Sequence, residues 1–248
     1  ERADVVLGTV TESVHEAARA LGCRSFHLDS DIGVSRAGHT WDYDCAPLGR
    51  AFAGIRCGTL APDNCALALT ASALVLDRLN RSGRLDPSVL ADARLPGRLE
   101  AHVHTGREVI LDVAHNPAAA EFLARELDAR WPGRRYTAVY GALEDKDAAG
   151  VVSALAPRVD HWLLIPTQGW RGQSAEALAE RISPQERRLH VPAGRTLLLE
   201  RFESARTALD TAVSLTGPGD GILVLGSFSA VEQVRKLLID PRHQAVDG

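Results

Sequence analysis

Methionine is absent from this 248-residue sequence, and lysine occurs only twice, at Lys146 and Lys236. Every other Lys or Arg position is an arginine, so this sequence uses arginine almost everywhere that it has a fixed positive charge. A lysine kept between two aspartates, Asp145 and Asp147, therefore indicates a functional role for Lys146. The alternative interpretation is a solvated lysine at the start of a helix.

Cysteine is also scarce, with four residues in the whole chain. None of them forms a Cys-x-x-Cys pair, and none has a histidine at a metal-binding spacing, which argues against a zinc site. We expect reduced and mostly buried thiols, as is usual in the cytoplasm. The four are Cys23, Cys45, Cys57 and Cys65.

Long hydrophobic runs and strong charge are missing as well. No apolar stretch approaches the roughly 20 residues that a membrane span requires, and no signal-peptide core is evident. The formal net charge of −4 gives no support for a nucleic-acid or membrane partner. With 45% hydrophobic residues, the sequence predicts a cytoplasmic globular protein with one large or two modest domains.

The most informative segment is Leu-Asp-Val-Ala-His-Asn-Pro at residues 111–117. The preceding apolar residues predict a buried strand, and Asn116 followed by Pro117 predicts a helix start. Asp112 and His115 therefore lie where a parallel strand passes into a helix, the edge at which α/β sheets usually bind ligands. A capped helix with incidental polar neighbours is the alternative.

Regular alternation of strands and helices continues from there to the end of the chain, which predicts an α/β fold with a mostly parallel sheet. A weaker apolar stretch covers 188–192. The predicted strands are 109–113, 136–141, 161–166 and 221–226, and the predicted helices are 117–130, 147–156, 174–182, 202–214 and 228–239.

Residues 1–97 are less regular. The pattern predicts a strand from Ala3, a helix over 11–21, a small β-meander between Cys23 and Leu60, a buried helix over 62–79 and a short helix after Asp86. Leu95-Pro96-Gly97 is the predicted linker. Residues 98–248 have the size of a whole domain, whereas residues 1–97 resemble the tail of a larger one.

Three further motifs accompany the segment at 111–117. Leu95-Pro-Gly-Arg-Leu-Glu100 precedes it, and Gly141-Ala-Leu-Glu-Asp-Lys-Asp147 and Gly226-Ser-Phe228 follow it. In this order, the set resembles the C-terminal part of folylpolyglutamate synthase/dihydrofolate synthase, a branch of the Mur ligase superfamily, from about Ala3 to Leu238. The resemblance implies a Rossmann-like domain at 98–248, preceded at 1–97 by the C-terminal part of the family's central ATPase domain.

The same resemblance implies an ATP-dependent amide ligase that adds L-glutamate to a folate or dihydropteroate acceptor through an acyl phosphate. Such chemistry needs a phosphate cradle and Mg²⁺. Neither lysine follows a suitable glycine run, and no candidate ligands for Mg²⁺ are found. We therefore expect a C-terminal portion that is inactive alone, with the Mg²⁺ ligands upstream, and a full-length enzyme that is monomeric.

Three residues match the family's nucleotide contacts. Asn64 matches an asparagine on the adenine side of ATP, although it could instead cap its helix. Arg98 matches an arginine that reaches the phosphates, where a guanidinium offers five fixed donors; a plain surface arginine is the alternative. Asp112 matches the carboxylate that binds the ribose.

Three others match positions near the reacting groups. His115 matches a residue near the γ-phosphate and the incoming amine, but it could be structural. Lys146 would orient the glutamate or simply pair with its neighbours. Ser227 could offer a hydroxyl and a backbone N–H to the glutamate carboxylate. Ser229 stands where the family has a histidine, and Arg171 matches an arginine-containing loop of undetermined role.

Two other interpretations stay open on the sequence alone. One is a different Mur-type ligase, acting on a peptidoglycan or related precursor. The other is a non-catalytic nucleotide- or partner-binding remnant, which the missing phosphate loop favours and the retained site residues oppose.

Overall fold

The computed structural model describes residues 3–38, 40–56, 58–186 and 197–239. The chain forms two compact units, residues 1–95 and residues 96–248. Across the described ranges, no helix combines the length and the apolar character needed to cross a membrane.

The first unit contains two small sheets. Strands β1 (Asp4–Leu7) and β2 (Arg24–His27) pair in parallel and are connected through helix α1 (Glu12–Ala20). The sequence predicted that Arg24–His27 belongs to the meander, and this was wrong, because the segment pairs with β1 instead. The meander is shorter and antiparallel, with the order β3 (Gly33–Ala37), β4 (Thr40–Cys45) and β5 (Arg50–Arg56).

Helix α2 (Pro62–Arg78) packs its apolar side into the core of this unit. The alternating residues of β4 supply the other side of that core, since Trp41 and Tyr43 are each 1% exposed. The Tyr43 hydroxyl lies 2.9 Å from Thr70 Oγ1 on α2, which satisfies both buried polar groups. Of the described cysteines, Cys45 and Cys65 are buried thiols and Cys23 is half-buried.

The second unit is a six-stranded sheet between two layers of helices, with the order β10-β9-β8-β11-β7-β6. All neighbouring strands in it are parallel except β6 and β7. The strands are β6 (Glu100–His104), β7 (Arg107–Leu111), β8 (Tyr136–Tyr140), β9 (Val159–Leu164), β10 (Leu198–Arg201) and β11 (Gly221–Leu225), and the helices are α3 (Pro117–Arg130), α4 (Ala148–Leu155), α5 (Ala175–Glu186), α6 (Ala205–Leu215) and α7 (Phe228–Ile239).

Two edge strands, β6 and β10, were not predicted from the sequence. Strand β6 forms a hairpin with β7 through Thr105 (φ 45°) and Gly106 (φ 73°), the two left-handed positions of a type I′ turn. That Thr-Gly pair was the available signal. Strand β10 follows the apolar stretch at 188–192, which lies outside the described residues, and its side chains are mostly exposed.

The helices divide between the two faces of this sheet. One core cluster joins residues of α3, α4 and α5 to one face, and a second joins α6 and α7 to the other. Strand β11 lies between β7 and β8, yet it leads into α7 on the second face, whereas β7 and β8 lead into helices on the first. The carboxyl end of β11 is therefore a topological switch point, where open α/β sheets bind ligands.

Candidate active site

Five of the six predicted site residues lie in the second unit, and all five follow the carboxyl ends of strands or border them. Val224 of β11 pairs with Leu111 of β7 on one side and with Val139 of β8 on the other, so these three strands end at one level. Asp112 and His115 follow β7, Lys146 follows β8 and Ser227 follows β11, so these four lie at the switch point. Arg98 precedes β6, in the segment that is joined to Asp112 through the N–H of Leu99.

Arg98 lies in a backbone segment of unusual conformation. Gly97 has φ 68°, and a Cβ there would lie 3.0 Å from Val113 Cγ1 and 3.1 Å from Val231 Cγ1, so only glycine fits. Leu99 has φ 44°, which is costly for a residue with a side chain. Strain of this kind is retained at functional sites where surrounding contacts enforce it.

Asp112 supplies the main contacts that enforce this conformation. Its Oδ2 accepts the backbone N–H of Leu99 at 3.0 Å, and its Oδ1 accepts that of Ala114 at 2.8 Å. The side chain is buried, and burial raises the pKa of its carboxyl above the usual value. The two N–H donors and the positive charge of Arg98 act in the opposite direction, as does His115 in its protonated form. Asp112 therefore organises the loop, and its remaining lone pairs can still accept from a ligand.

Glu100 holds the same segment from the opposite side. Its carboxylate accepts from the backbone N–H of Gly97 at 2.7 Å and from Nε of Arg235 on α7 at 2.8 Å, and it lies 2.8 Å from His102 Nε2. Burial alone would raise the pKa of Glu100, but these donors outweigh it and the pKa is lowered. The loop that carries Arg98 is thus fixed to both β7 and α7.

A pH-dependent stability follows from Glu100. Because its pKa is lower in the folded chain than in the unfolded chain, its contribution is present above about pH 4.5 and is lost as the pH falls through the folded pKa. We expect Glu100→Gln to lower the free energy of unfolding by about 1–2 kcal/mol at pH 7 and by clearly less at pH 3.5. Urea denaturation at both pH values measures this.

The matched control is Glu232→Gln, which removes an exposed carboxylate paired with Lys236 on α7. We expect it to change stability by less than about 0.5 kcal/mol. A loss at pH 7 that is equal for both variants would contradict the assignment of Glu100 as the anchor of the loop.

Arg98 itself makes no hydrogen bond or ion pair with another described residue, although its charge is close enough to lower the pKa of Asp112. It is half-buried. A partly desolvated guanidinium without a partner is ready to bind an anionic group. This is the site's clearest unmet interaction.

His115, three residues after Asp112, is half-buried. Its Nδ1 lies 3.0 Å from the backbone carbonyl of Val113, and since a carbonyl only accepts, the proton is assigned to Nδ1. Nε2 is then left as an acceptor in the neutral ring. Asn116 caps α3 by accepting the N–H of Ala119 at 2.8 Å, which fixes the turn that carries His115.

The carboxylate of Asp145, in the loop after β8, is paired with two cations, one from its own loop and one from the loop after β9. Asp145 Oδ2 is 3.2 Å from Lys146 Nζ and 3.1 Å from Arg171 Nη1. The hydrogen bond from Lys146 is the chief cause of the lowered pKa of Asp145. The second neighbouring acid, Asp147, instead caps α4 by accepting the N–H of Gly150 at 2.9 Å.

Arg171 is the residue whose importance the sequence analysis missed. Its guanidinium lies 4.9 Å from the ring centroid of Trp170, and that indole is 87% exposed. The signal in the sequence was Gly-Trp-Arg-Gly directly after a predicted strand. What the sequence could not show is that this loop joins the loop of Lys146.

Ser227 is more fully used inside the fold than the sequence suggested. Its hydroxyl donates to the carbonyl of Gly141 at 2.7 Å and accepts the N–H of Ala230 at 3.1 Å, and the residue is 4% exposed. The hydroxyl proton is therefore committed to tying the β8 loop to α7. The backbone N–H groups of the first turn of α7 are what this position can offer a ligand.

Asn64 belongs to the first unit. It lies in the first turn of α2, is exposed, and makes no side-chain hydrogen bond within the described ranges. The helix begins after Ala61, so Asn64 is not its N-cap. Its amide is therefore available to a ligand.

No group of three or more histidine, cysteine or acidic side chains within metal-binding distance occurs among the residues that the structure describes. The acids of the site are instead engaged by backbone N–H groups and cations.

Comparison with known proteins connects this geometry to a family. Residues 97–228, just over half of the chain, match the family described as Mur ligase, glutamate ligase domain. The chain belongs to the Mur ligase family. The matched residues run from the Gly97–Arg98 segment to the start of α7, so this Mur ligase domain contains the whole cluster at the switch point.

Relatives of this Mur ligase chain point to one branch of the family. It is 36% identical over 214 residues to the dihydrofolate synthase/folylpolyglutamate synthase of Escherichia coli, covering 83% of this chain and 46% of the relative. The structure of E. coli FolC in complex with DHPP and ADP superposes with a TM-score of 0.72 at 28% identity, covering 95% of this chain and 53% of that one.

A further structure of a bifunctional folylpolyglutamate synthase/dihydrofolate synthase, with Mn, AMPPNP and L-glutamate bound, has a TM-score of 0.71 at 31% identity. The alignment covers 96% of this chain and 54% of that one. The Mur ligase chain therefore spans about half the length of the relatives it matches.

Proposed function

We propose that this chain is the C-terminal part of an ATP-dependent ligase that joins L-glutamate to a folate or dihydropteroate acceptor. In this proposal, residues 1–97 belong to the family's central ATPase domain, and residues 98–248 bind the glutamate and contribute contacts to the nucleotide. The observation that carries it is Arg98, whose guanidinium has no hydrogen bond or ion pair with another described residue and which lies in a strained loop beside Asp112.

The residues at the switch point fit a nucleotide in several respects. ATP would supply the phosphoryl group that activates the acceptor carboxylate as an acyl phosphate. Arg98 would donate to the phosphate oxygens, since its five N–H groups have no other described partner. Asp112 would accept from the ribose hydroxyls through its remaining lone pairs.

The glutamate would occupy the opposite flank of the site. Lys146 and Arg171 already share one carboxylate oxygen of Asp145, which shows that both can reach a single carboxylate. A carboxylate of glutamate would bind the same pair, with the first-turn N–H groups after Ser227 as further donors. Nε2 of His115 would accept a hydrogen bond from the incoming amine and orient it.

Magnesium would assist at the phosphates, but the described residues do not supply a cluster of ligands for it. In keeping with the family resemblance, we assign its protein ligands to the part of the relatives that this chain does not match. A divalent metal at the nucleotide has a parallel in a relative, whose structure has Mn and AMPPNP bound.

The test is ADP release with ATP, Mg²⁺, L-glutamate and either dihydropteroate or tetrahydrofolate. It is run with the chain alone and after adding the part of the E. coli relative that the chain does not match. We expect ADP release only in the supplemented sample, and the preferred acceptor then defines the reaction.

Other outcomes would change the conclusion. A requirement for a UDP-sugar acceptor would make the chain a different Mur-type ligase. No ADP release with any acceptor, combined with retained ADP binding, would leave a nucleotide-binding remnant. ADP release by the chain alone would show that its own residues build a phosphate cradle.

A further inference from the structure

The loop that carries Lys146 and the loop that carries Arg171 are joined by a set of hydrogen bonds outside the residues already assigned. Thr167 Oγ1 and Gln173 Nε2 both donate to the backbone carbonyl of Ala142, at 3.2 Å and 2.8 Å. Two further hydrogen bonds join Thr167 and Gln173 to each other. The backbone N–H of Gln173 donates to Thr167 Oγ1 at 3.1 Å, and the backbone N–H of Thr167 donates to the carbonyl of Gln173 at 3.0 Å. These hydrogen bonds therefore hold the two loops together.

Arg181 on α5 completes this arrangement. Its guanidinium donates to the backbone carbonyls of Leu143, at 3.3 Å, and of Lys146, and it reaches Gln173 Oε1 at 3.5 Å. All three acceptors are neutral, and two of them belong to the backbone of the loop that bears Lys146. A planar fork of fixed donors suits such a set, because several acceptors are held in one geometry.

We propose that Arg181 is a positioning residue that sets the place of the Lys146 ammonium next to Arg171. Its binding to the Lys146 carbonyl fixes the backbone from which that side chain projects. Through Gln173 it also fixes the segment after Arg171. The role for glutamate rests on the proposed function, but the positioning itself does not.

The scarcity of lysine makes this directly measurable. In a chain labelled with ¹³C-lysine, only Lys146 and Lys236 give side-chain NMR signals. Lys236 lies on α7, has a side chain that is 71% exposed, and pairs with Glu232 one helical turn away. It is therefore an internal reference for a solvated lysine.

We expect Arg181→Met to move the Lys146 signal toward the Lys236 position and to merge its two Hε resonances, because the side chain loses its fixed place beside Asp145. Arg135→Met is the matched control. Arg135 directly precedes β8, at the amino ends of the strands and so at the opposite end of the sheet from Lys146. It binds the carboxylate of Asp160 and the carbonyl of Pro157. This control should leave the Lys146 signal unchanged.

A Lys146 signal that is identical in wild type and Arg181→Met would overturn the proposal, as would an equal shift in Arg135→Met. If Arg181→Met does not fold, Gln173→Ala provides the test, since it removes both the bond to Ala142 and the side-chain acceptor of Arg181 while leaving the bonds from Arg181 to the loop carbonyls. A smaller shift of Lys146 in the same direction is then expected, and no shift would overturn the proposal.

Titration with L-glutamate separates this inference from the proposed function. We expect glutamate to shift the Lys146 signal of wild type and to bind at least tenfold more weakly to Arg181→Met than to Arg135→Met. If glutamate shifts neither lysine in wild type, the glutamate assignment is wrong. The labelled spectra without glutamate still decide whether Arg181 positions Lys146.

Discussion

Replacing Arg98 with lysine is expected to reduce glutamate-dependent ADP release about 100-fold while leaving the fold unchanged. Lysine keeps the charge beside Asp112 but replaces five donors in a planar fork with one compact ammonium. Because Arg98 has no hydrogen bond or ion pair with another described residue, its replacement by lysine breaks no such bond within the described part of the chain. The whole loss should fall on interactions with the substrate.

The measurement is the initial rate of ADP release in the supplemented sample, with the melting temperature of the chain recorded in parallel. Arg206→Lys, at an exposed position of α6, is the matched control. A rate within twofold of wild type for Arg98→Lys would remove Arg98 from the phosphate site. A large drop in melting temperature would instead reveal a structural role.

Asp112→Ala is expected to have the largest effect on stability, lowering the free energy of unfolding by about 3 kcal/mol. The carboxylate accepts one N–H on each oxygen, from Leu99 and Ala114, and both donors are buried. Removing it leaves two unsatisfied N–H groups and releases the strained φ of Leu99. The Arg98 loop should then open, so activity is lost as well.

Urea denaturation of the chain measures this loss. Asp112→Asn should be intermediate, because the amide keeps one acceptor oxygen but turns its NH₂ group toward the second N–H donor. Asp210→Ala, on the exposed face of α6, is the control and should change stability by less than about 0.5 kcal/mol. Equal stability of Asp112→Ala and Asp210→Ala would show that Asp112 does not hold the loop.

Much of the second unit could be predicted because its signals are local. Buried strands such as Val109-Ile110-Leu111 are apolar runs, and helix starts such as Asn116-Pro117 and Asp147 carry their own caps. Most elements were placed within two residues of their observed ends, but α5 extends four residues beyond the predicted end and α6 begins three residues later than predicted. The solvent-exposed edge strands β6 and β10 were missed because they bury too little for hydropathy to detect.

The roles of individual site residues were harder to infer. Ser227 was expected to offer its hydroxyl to a ligand, but that hydroxyl bonds to Gly141, 86 positions earlier in the chain. Lys146 was expected to act on glutamate or pair with its neighbours, and it does pair with Asp145. The partner that completes the pair, Arg171, comes from the loop after the next strand.

The sequence by itself determined the α/β class, the strand–helix junctions and the residues that follow them, because apolar periodicity and capping act over a few neighbouring positions. Tertiary structure alone decided that β11 inserts between β7 and β8, since strand order depends on contacts between residues more than 80 positions apart. It also decided that Asp112 holds the Arg98 loop and that Arg181 joins two loops. Each of these depends on a hydrogen bond to a backbone group, and backbone groups are the same in every residue, so no sequence pattern marks them.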